Sequence, residues 1–230
     1  MQLPTGLGQT FEIFRGFDSE TIERLLTGWR REEYSHRDLI FKAGQTAEEF
    51  GLVISGCYKI YKPSAQNSTF CFARRGELIA ALLMSHHVQK YPVQIESVGD
   101  SVLIRLPRST YLDSWLSHPG LMERVQTSIQ QRCLRFHGVL AHQRLSLKSR
   151  LAALLLSYAE GEEGESSLRI AFPLTRKDLS QMVGAEIESV IRIMSQWEKN
   201  MIISTRASRV VILDAKALQL LIEDEGSHTS

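Results

Sequence analysis

The stretch DLSQMVGAEIESVIR, residues 178–192, decides the fold of the C-terminal part of the chain. Two short amphipathic runs flank Gly184, and glycine permits the left-handed backbone that a tight turn between helices needs. Thr175 precedes the first run and Asp178 stands three residues later, so the pair can form a capping box. The inward residues of the first run are Leu179, Met182 and Val183, and the apolar residues of the second are Ile187, Val190, Ile191, Met194 and Trp197, some of which must pack on the first run. The spacing predicts two helices joined by a glycine turn.

The second predicted helix carries three polar residues on its outer side, in its first turns: Glu188, Ser189 and Arg192. Those turns are the part of a recognition helix that reaches base edges in the major groove of DNA. Arginine can donate two hydrogen bonds to guanine, and glutamate can accept one from the cytosine amino group. Because Glu188 and Arg192 are four residues apart, they can also brace each other.

After Met201, the sequence IISTRASRVVILD predicts two short strands around a polar turn. Arg206 and Arg209 would meet DNA phosphates from this hairpin, which would act as a wing. The whole chain has a net charge of only +1, so bulk charge does not indicate a nucleic-acid partner. Between Pro173 and Leu213, however, the sequence has six basic and four acidic residues, and this local excess of positive charge favours DNA as the partner.

Residues 174–202, LTRKDLSQMVGAEIESVIRIMSQWEKNMI, resemble the winged helix-turn-helix signature of the Crp/Fnr family of bacterial transcription regulators. The resemblance implies that Glu188 and Arg192 read the core of a DNA half-site with help from Ser189. It implies that Thr175 and Arg176 hold backbone phosphate. Three residues depart from the family pattern, and the first is Trp197, which stands where leucine is usual. Ile191 replaces a residue that is often small, and Asn200 stands where glycine is common; we expect Asn200 to adopt the left-handed backbone.

Residues 34–106 alternate short β-rich runs with glycine and polar breaks, which predicts a compact antiparallel β domain. Within it, LIFKAGQTAEEFGLVISGCYKIY is similar to the family's cyclic-nucleotide fold, and RRGELIA, residues 74–80, resembles the start of its phosphate cassette. The resemblance implies an α+β chain. We expect an antiparallel β-roll sensor domain with an N-terminal helix at 1–118, a dimerisation helix at 119–146 and a winged helix-turn-helix domain at 147–230.

Cyclic-nucleotide binders of this family carry an Arg-Ser/Thr pair just before the strand that corresponds here to VQIESVGD. Counting back from Asp100 places that pair on Tyr91-Pro92, so the arginine is missing and proline has no N–H to donate. We therefore predict that cyclic AMP is not a tight ligand. Two alternatives remain: the protein binds another small organic effector, or it has no effector. Its pocket would be lined by Gly76, Glu77, Tyr91, Arg132, Arg135 and Phe136. Alternatively, Arg132 and Arg135 are solvated or paired across the helix.

Other sensing chemistries find little support in the sequence. The cysteine cluster of iron–sulfur members is missing from the N-terminus, and Cys57, Cys71 and Cys133 form no metal pattern. We expect these cysteines to be free thiols, with a redox sensor as the alternative. His86-His87 could offer a haem ligand, but adjacent histidines in a loop are more often plain polar residues. We predict no resident cofactor or metal. No catalytic triad or paired carboxylates emerge, so an enzyme is not expected.

Residues 121–151 lack proline and carry an apolar stripe: Met122, Val125, Ile129, Cys133, Phe136 and Leu140. This stripe predicts a long helix that pairs with its copy in a homodimer; the alternative is that it packs on the β domain. Double-stranded DNA, a second copy and RNA polymerase are the expected partners. No run approaches the about 18 apolar residues of a membrane span, and we expect a cytoplasmic protein. A module that binds a ligand and regulates a protein partner, without DNA, is the alternative function.

Overall fold

The computed structural model describes residues 8, 11–63, 68–85, 90–141, 145–161 and 167–226; the side chains of residues 68–70, 136–141 and 224–226 lie outside the description. The chain folds into two compact units. The first contains Met1–Pro63 and Cys71–Cys133, and the second contains Ser64–Phe70 and Leu134–Ser230. The boundary at Cys133 falls inside the long helix that the sequence predicts as a separate linking element.

Among the described residues, eight strands build two antiparallel four-stranded sheets. The strands are β1 Arg30–Tyr34, β2 Leu39–Phe41, β3 Glu49–Ser55, β4 Cys57–Lys62, β5 Ser68–Arg74, β6 Leu78–Ile79, β7 Gln94–Ser97 and β8 Ser101–Pro107. One sheet has the order β1-β8-β3-β6 and the other the order β2-β7-β4-β5. The predicted antiparallel β domain is confirmed. The sequence does not predict strand β1, because its residues RREEY are charged and show no apolar alternation.

One part of the core of this unit lies between the first sheet and helical segments of the chain. Phe50 on β3 meets Trp115 with ring centroids 4.8 Å apart, and the Trp115 indole donates to the Leu25 carbonyl over 2.6 Å. Leu25 ends helix α1, Ser19–Leu25, which Asp18 caps by accepting from the Thr21 amide. Short helical turns cover Glu12–Phe14, Ala81–Ser85 and Arg108–Trp115. Buried aromatic contacts therefore fix the turns to the sheet.

Helix α2, Pro119–Ala141, is the predicted long helix. Its stripe divides into two parts. Val125 and Ile129 are buried within the single chain, at 0% and 8% exposure. The part around Cys133 is exposed, and Leu134 beside it is 60% exposed. The expectation of a stripe that faces a second copy is wrong for Val125 and Ile129, because their own chain already covers them. The stripe residues Phe136 and Leu140 have side chains outside the description.

The second unit contains four helices and a small sheet within the described part of the chain. Its helices are α3 Leu147–Tyr158, α4 Arg176–Val183, α5 Ile187–Lys199 and α6 Ala215–Gly226. Its strands are β9 Leu168–Arg169, β10 Ile203–Arg206 and β11 Arg209–Ile212, in the order β10-β11-β9. Helix α3 packs on α6, and the Ser149 hydroxyl donates to the Leu221 carbonyl over 2.7 Å.

Four further sequence expectations are compared with the structure here. Cys57, Cys71 and Cys133 are free cysteines; the first two are buried, and burial raises the pKa of the Cys57 thiol. His86-His87 lies outside the described residues. A search of the described residues for a helix with the length and apolar character to cross a bilayer finds none. Among those same residues, no group of three or more His, Cys, Asp or Glu side chains could hold a metal ion.

Candidate DNA-binding site

The predicted capping box at the start of α4 is formed. The Asp178 amide donates to the Thr175 hydroxyl oxygen over 3.1 Å, and the Thr175 amide donates to the Asp178 carboxylate over 3.2 Å. The Thr175 hydroxyl also donates to that carboxylate, over 2.6 Å. The cap fixes the first turn of α4. It also engages the hydroxyl that the family resemblance assigns to a DNA phosphate, although Thr175 itself is exposed.

The turn between α4 and α5 is made by Gly184, which has φ 64° and ψ 54°. The Ala185 amide closes the turn by donating to the Ser180 carbonyl over 3.0 Å. Arg150 on α3 adds a bond that the sequence did not suggest: its Nη1 donates to the Val183 carbonyl over 2.7 Å. Arginine near a helix C-terminus satisfies carbonyls that the helix leaves open. Arg150 thereby holds the C-terminal end of α4.

Helix α5 has the amphipathic character that the sequence predicts. Val190 and Met194 are fully buried and Trp197 is 4% exposed. On the opposite side, Glu188 and Arg192 are exposed, and Ser189 at the edge is half-buried. The residues Leu179 and Val183 of α4 are also buried, so the two helices share one core.

Glu188 and Arg192 do not pair with each other. Among the described residues, neither side chain forms a hydrogen bond or ion pair, so the expected bracing across one helical turn is not formed. A carboxylate and a guanidinium thus stand side by side with their hydrogen-bonding groups available. Such an arrangement can accept from one base edge and donate to another.

Arg176, the first residue of α4, is tied to other parts of the unit. Its Nη2 lies 3.4 Å from Glu198 Oε1 near the end of α5 and donates to the Thr205 hydroxyl on β10 over 3.2 Å. Burial lowers the pKa of the Arg176 guanidinium, and the charge of Glu198 opposes that change. The guanidinium that the resemblance assigns to phosphate is therefore half-buried and partly engaged inside the protein.

The hairpin of β10 and β11 forms the predicted wing. Its two-residue turn is Ala207–Ser208, with left-handed φ values of 48° and 60°, as a tight hairpin of this kind requires. Arg206 and Arg209 are paired in register at its base, and both are exposed. Arg209 folds back, and its Nη1 donates to the Ala171 carbonyl over 3.1 Å. The Arg206 side chain bonds to none of the described residues.

One expectation about the end of α5 is wrong. Asn200 has φ −85°, whereas Met201 adopts the left-handed conformation with φ 58°. The Met201 amide donates to the Glu198 carbonyl over 3.1 Å, and the Ile202 amide donates to the Trp197 carbonyl over 2.9 Å. These two bonds define a Schellman end, whose left-handed position is the residue after the C-cap. The position that favours glycine is thus Met201.

The structure places the residues of the predicted effector pocket as follows. Gly76 has φ 85° and its amide donates to the Val53 carbonyl over 2.9 Å. Glu77 lies 3.8 Å from Arg74 Nε. Arg132 of α2 donates to the carbonyl of Leu78, which follows Glu77. Helix α2 therefore contacts the segment that resembles a phosphate cassette. Arg135 is half-buried in the second unit, and the Phe136 side chain lies outside the description.

Tyr91 is buried, and both its hydroxyl and its ring contact neighbouring residues. Its hydroxyl donates to the Glu49 carbonyl over 2.7 Å and accepts from the Glu49 amide over 3.2 Å. Its ring stacks on Phe41 with centroids 4.6 Å apart. At the position where the family's nucleotide binders have arginine, this chain has a ring and hydroxyl that stabilise strand β3.

Sequence reasoning missed a charged cluster in the first unit, centred on Arg105 of β8. Arg105 pairs with Glu49, and its Nη1 lies 3.1 Å from Glu32 Oε2. Arg30 lies 2.5 Å from both carboxylates, and the Tyr34 hydroxyl donates to Glu32. Burial would raise the pKa of Glu32, but hydrogen bonds from Tyr34 and Arg30 and the charge of Arg105 lower it to about 2. Arg30, Glu32 and Tyr34 occupy every second position of β1, but their partners depend on strand register.

Comparison with known proteins agrees with this architecture. Residues 31–116 match the cyclic nucleotide-binding domain, and residues 149–221 match the Crp-like helix-turn-helix domain. The transcriptional activatory protein AadR of Rhodopseudomonas palustris is 23% identical over 210 residues, which cover 89% of this chain and 84% of that protein. The nitrogen fixation regulation protein FixK of Bradyrhizobium diazoefficiens is 23% identical over 220 residues, which cover 93% and 90%.

Solved structures show the same fold. FixK2 from Bradyrhizobium japonicum superposes with a TM-score of 0.71 at 17% identity, over 84% of this chain and 96% of that one. A CRP/FNR-family transcriptional regulator from Thermus thermophilus superposes with a TM-score of 0.66 at 20% identity, over 86% and 100%. The chain is a DNA-binding transcription regulator, and it belongs to the Crp/Fnr family.

Proposed function

We propose that the protein reads an imperfect palindrome in double-stranded DNA as a homodimer. The observation that carries this proposal is the exposed pair of Glu188 and Arg192, which no described residue engages, on the first turns of α5. Ser189 borders the pair, and the exposed Arg206 side chain lies on the wing of the same unit. Glu188 and Arg192 contact base edges, and Arg206, Arg209, Thr175 and Arg176 contact phosphates. Base contacts set the sequence preference, and phosphate contacts position the helix.

Dimerisation is proposed through the part of α2 that begins at Cys133. Cys133 is exposed and Leu134 is 60% exposed, unlike Val125 and Ile129 earlier in the same helix. Exposed apolar residues of a helix gain free energy when a second copy buries them. A two-fold dimer then presents two copies of α5 to half-sites about 34 Å apart along the duplex. RNA polymerase is the protein partner expected of such a regulator, and the cytoplasm is the compartment where it would meet DNA.

Cyclic AMP is not the proposed signal. Tyr91 stands where the nucleotide binders of the family have arginine, and its hydroxyl is already bonded to Glu49. A different small molecule near Glu77 and Arg132 remains the proposed kind of effector. A haem or other resident cofactor is not proposed.

Selection from a pool of random duplexes tests the DNA proposal. The purified full-length protein should enrich a two-fold symmetric sequence, and analytical ultracentrifugation should show two chains per selected duplex. The alternative, a module that controls a protein partner without DNA, predicts no enrichment. Enrichment of a sequence without two-fold symmetry, or binding by one chain, would contradict the dimer proposal while leaving DNA binding intact.

A further inference from the structure

One apolar side chain stands among the polar residues on the outer face of α5. Ile191 is 44% exposed, whereas Val190 and Met194 on the inner face are fully buried. Ile191 lies three residues after Glu188 and four before Ser195, so the three side chains are neighbours on the helix surface. The core of the second unit does not need this side chain, because nearly half of it is open to solvent.

The major groove offers an isoleucine one matching group. Base edges there present hydrogen-bond donors and acceptors, and the apolar exception is the C5 methyl of thymine. An aliphatic side chain set against the amino group of adenine or cytosine would leave that polar group dry and without a partner, which costs free energy. Against thymine, the C5 methyl and the isoleucine side chain remove each other's apolar surface from water.

We infer that Ile191 selects thymine, through the C5 methyl, at a base next to the one that Glu188 contacts. This inference rests on the proposed function, because it needs the outer face of α5 to lie in the major groove. It is a property of this chain, since the family pattern often has a small residue at this position. The inference adds an apolar contact to a reading surface otherwise made of polar groups.

The size of the effect follows from burial of one methyl group. Burying one such group is worth about 0.8 kcal/mol, which corresponds to an affinity change of about 4-fold. A dimer makes the contact twice, so removing the methyl in both half-sites should weaken binding by about 16-fold. Differences of this size are measurable by fluorescence anisotropy at fixed salt.

The test replaces thymine by deoxyuridine, which keeps every hydrogen-bonding group and lacks the methyl. The probe is the duplex that the parent protein selects from a random pool, with each symmetric pair of thymines exchanged in turn. We expect one symmetric pair of positions where the exchange weakens the parent by about 16-fold, as the two methyl contacts predict. At the same positions, Ile191→Ala should bind the thymine and deoxyuridine duplexes equally well. A parent that binds both duplexes equally at every position would overturn the inference, and so would an Ile191→Ala variant that keeps the discrimination.

Two variants control for indirect effects. Leu220→Ala removes a side chain of similar exposure, 46%, from α6 in the same unit, and it should keep the thymine preference of the parent. Ile191→Val keeps a branched apolar side chain and should keep most of that preference. A loss of preference in Leu220→Ala would overturn the assignment to Ile191. If the parent selects no sequence at all, the proposed function fails; if it selects one but ignores the methyl, only the present inference fails.

Discussion

Arg176 Nη2 lies 3.4 Å from Glu198 Oε1, which joins the first residue of α4 to the end of α5. The bond from the same nitrogen to the Thr205 hydroxyl extends this connection to the wing. One guanidinium therefore holds together the three elements of the DNA-binding surface. We expect Arg176→Ala to lower the free energy of unfolding by about 1 kcal/mol, because half-buried hydrogen bonds are lost. It should weaken DNA binding as well.

Arg206→Ala is the matched control for Arg176→Ala, because the Arg206 side chain bonds to none of the described residues. It should leave the free energy of unfolding unchanged and weaken binding to all sequences alike. The slope of log affinity against log salt should fall by about 1 for each lost contact. Urea denaturation and anisotropy over a salt series measure the two effects. An unchanged salt slope would remove Arg206 from the set of phosphate ligands.

Glu188→Ala and Arg192→Ala should each cost roughly 1–3 kcal/mol of binding to the selected duplex. Each should also relax discrimination at one symmetric pair of base pairs, because the lost side chain reads a base edge. Anisotropy with a panel of single-base variants measures both quantities. Lys199→Ala is the control, since Lys199 is an exposed residue at the other end of α5. If Arg192→Ala binds its duplex as tightly as the parent, the assigned reading surface is wrong.

Met201→Gly should raise the free energy of unfolding of the second unit by about 0.5–1 kcal/mol, because a non-glycine residue in the left-handed conformation is strained. Met201 is 69% exposed, so little burial is lost. Asn200→Gly is the matched control: with φ −85° it relieves no strain and should be destabilising by about 0.5–1 kcal/mol. Chemical denaturation of both variants decides the matter. The opposite ranking would place the left-handed residue at Asn200.

The charged cluster around Arg105 predicts a loss of stability in acid. The pKa of Glu32 is about 2 in the folded chain, against an ordinary value of 4.5. A carboxyl whose pKa is depressed by folding stabilises the protein above its unfolded pKa, and this contribution disappears as the pH falls from 4.5 towards 2. Glu32→Gln should flatten this part of the pH profile, an effect on the order of 1–3 kcal/mol.

Glu33→Gln is the control for that measurement, because Glu33 is the exposed neighbour of Glu32 on β1. In urea denaturation it should follow the parent as the pH falls from 4.5 towards about 2, the range over which the contribution of Glu32 is lost. A parent profile that is flat over this range, or one that Glu33→Gln flattens as much as Glu32→Gln does, would contradict the assigned role of Glu32.

Cyclic AMP and cyclic GMP should give no binding heat in isothermal titration calorimetry with the purified protein. Tyr91 supplies no cation for a phosphate, and Pro92 supplies no amide. Micromolar binding of either nucleotide would contradict this prediction. The integrity of the sample is checked by its binding to the selected duplex.

Local chemistry made the winged unit predictable. Thr175 and Asp178 form their capping box because a cap depends on residues three positions apart. The alternation of buried and exposed residues along α5 likewise follows from helical spacing alone. The error at Asn200 arose because the end of a helix is difficult to place to within one residue, and the Schellman bonds of Met201 are visible only in three dimensions.

In the first unit, contacts between residues far apart in the sequence limited what could be predicted. Arg105 and Glu32 lie 73 positions apart in the sequence, and their contact depends on the register of β1 against β8. A single sequence carries no signal for that register when the strand is charged rather than alternating. The burial of Val125 and Ile129 was equally difficult to predict, because an apolar stripe does not indicate whether its own chain or a second chain covers it.

The charges around Arg105 have a consequence for bench work. Arg30 and Arg105 oppose Glu32 and Glu49, so the cluster sums to zero over a few ångströms. At about 0.1 M, dissolved salt screens charges that are more than about 10 Å apart. It therefore has little effect on a neutral cluster whose opposite charges lie within a few ångströms. Adding potassium chloride should therefore change the interactions of this cluster little, so that the salt dependence of DNA affinity reports on the protein–DNA contacts.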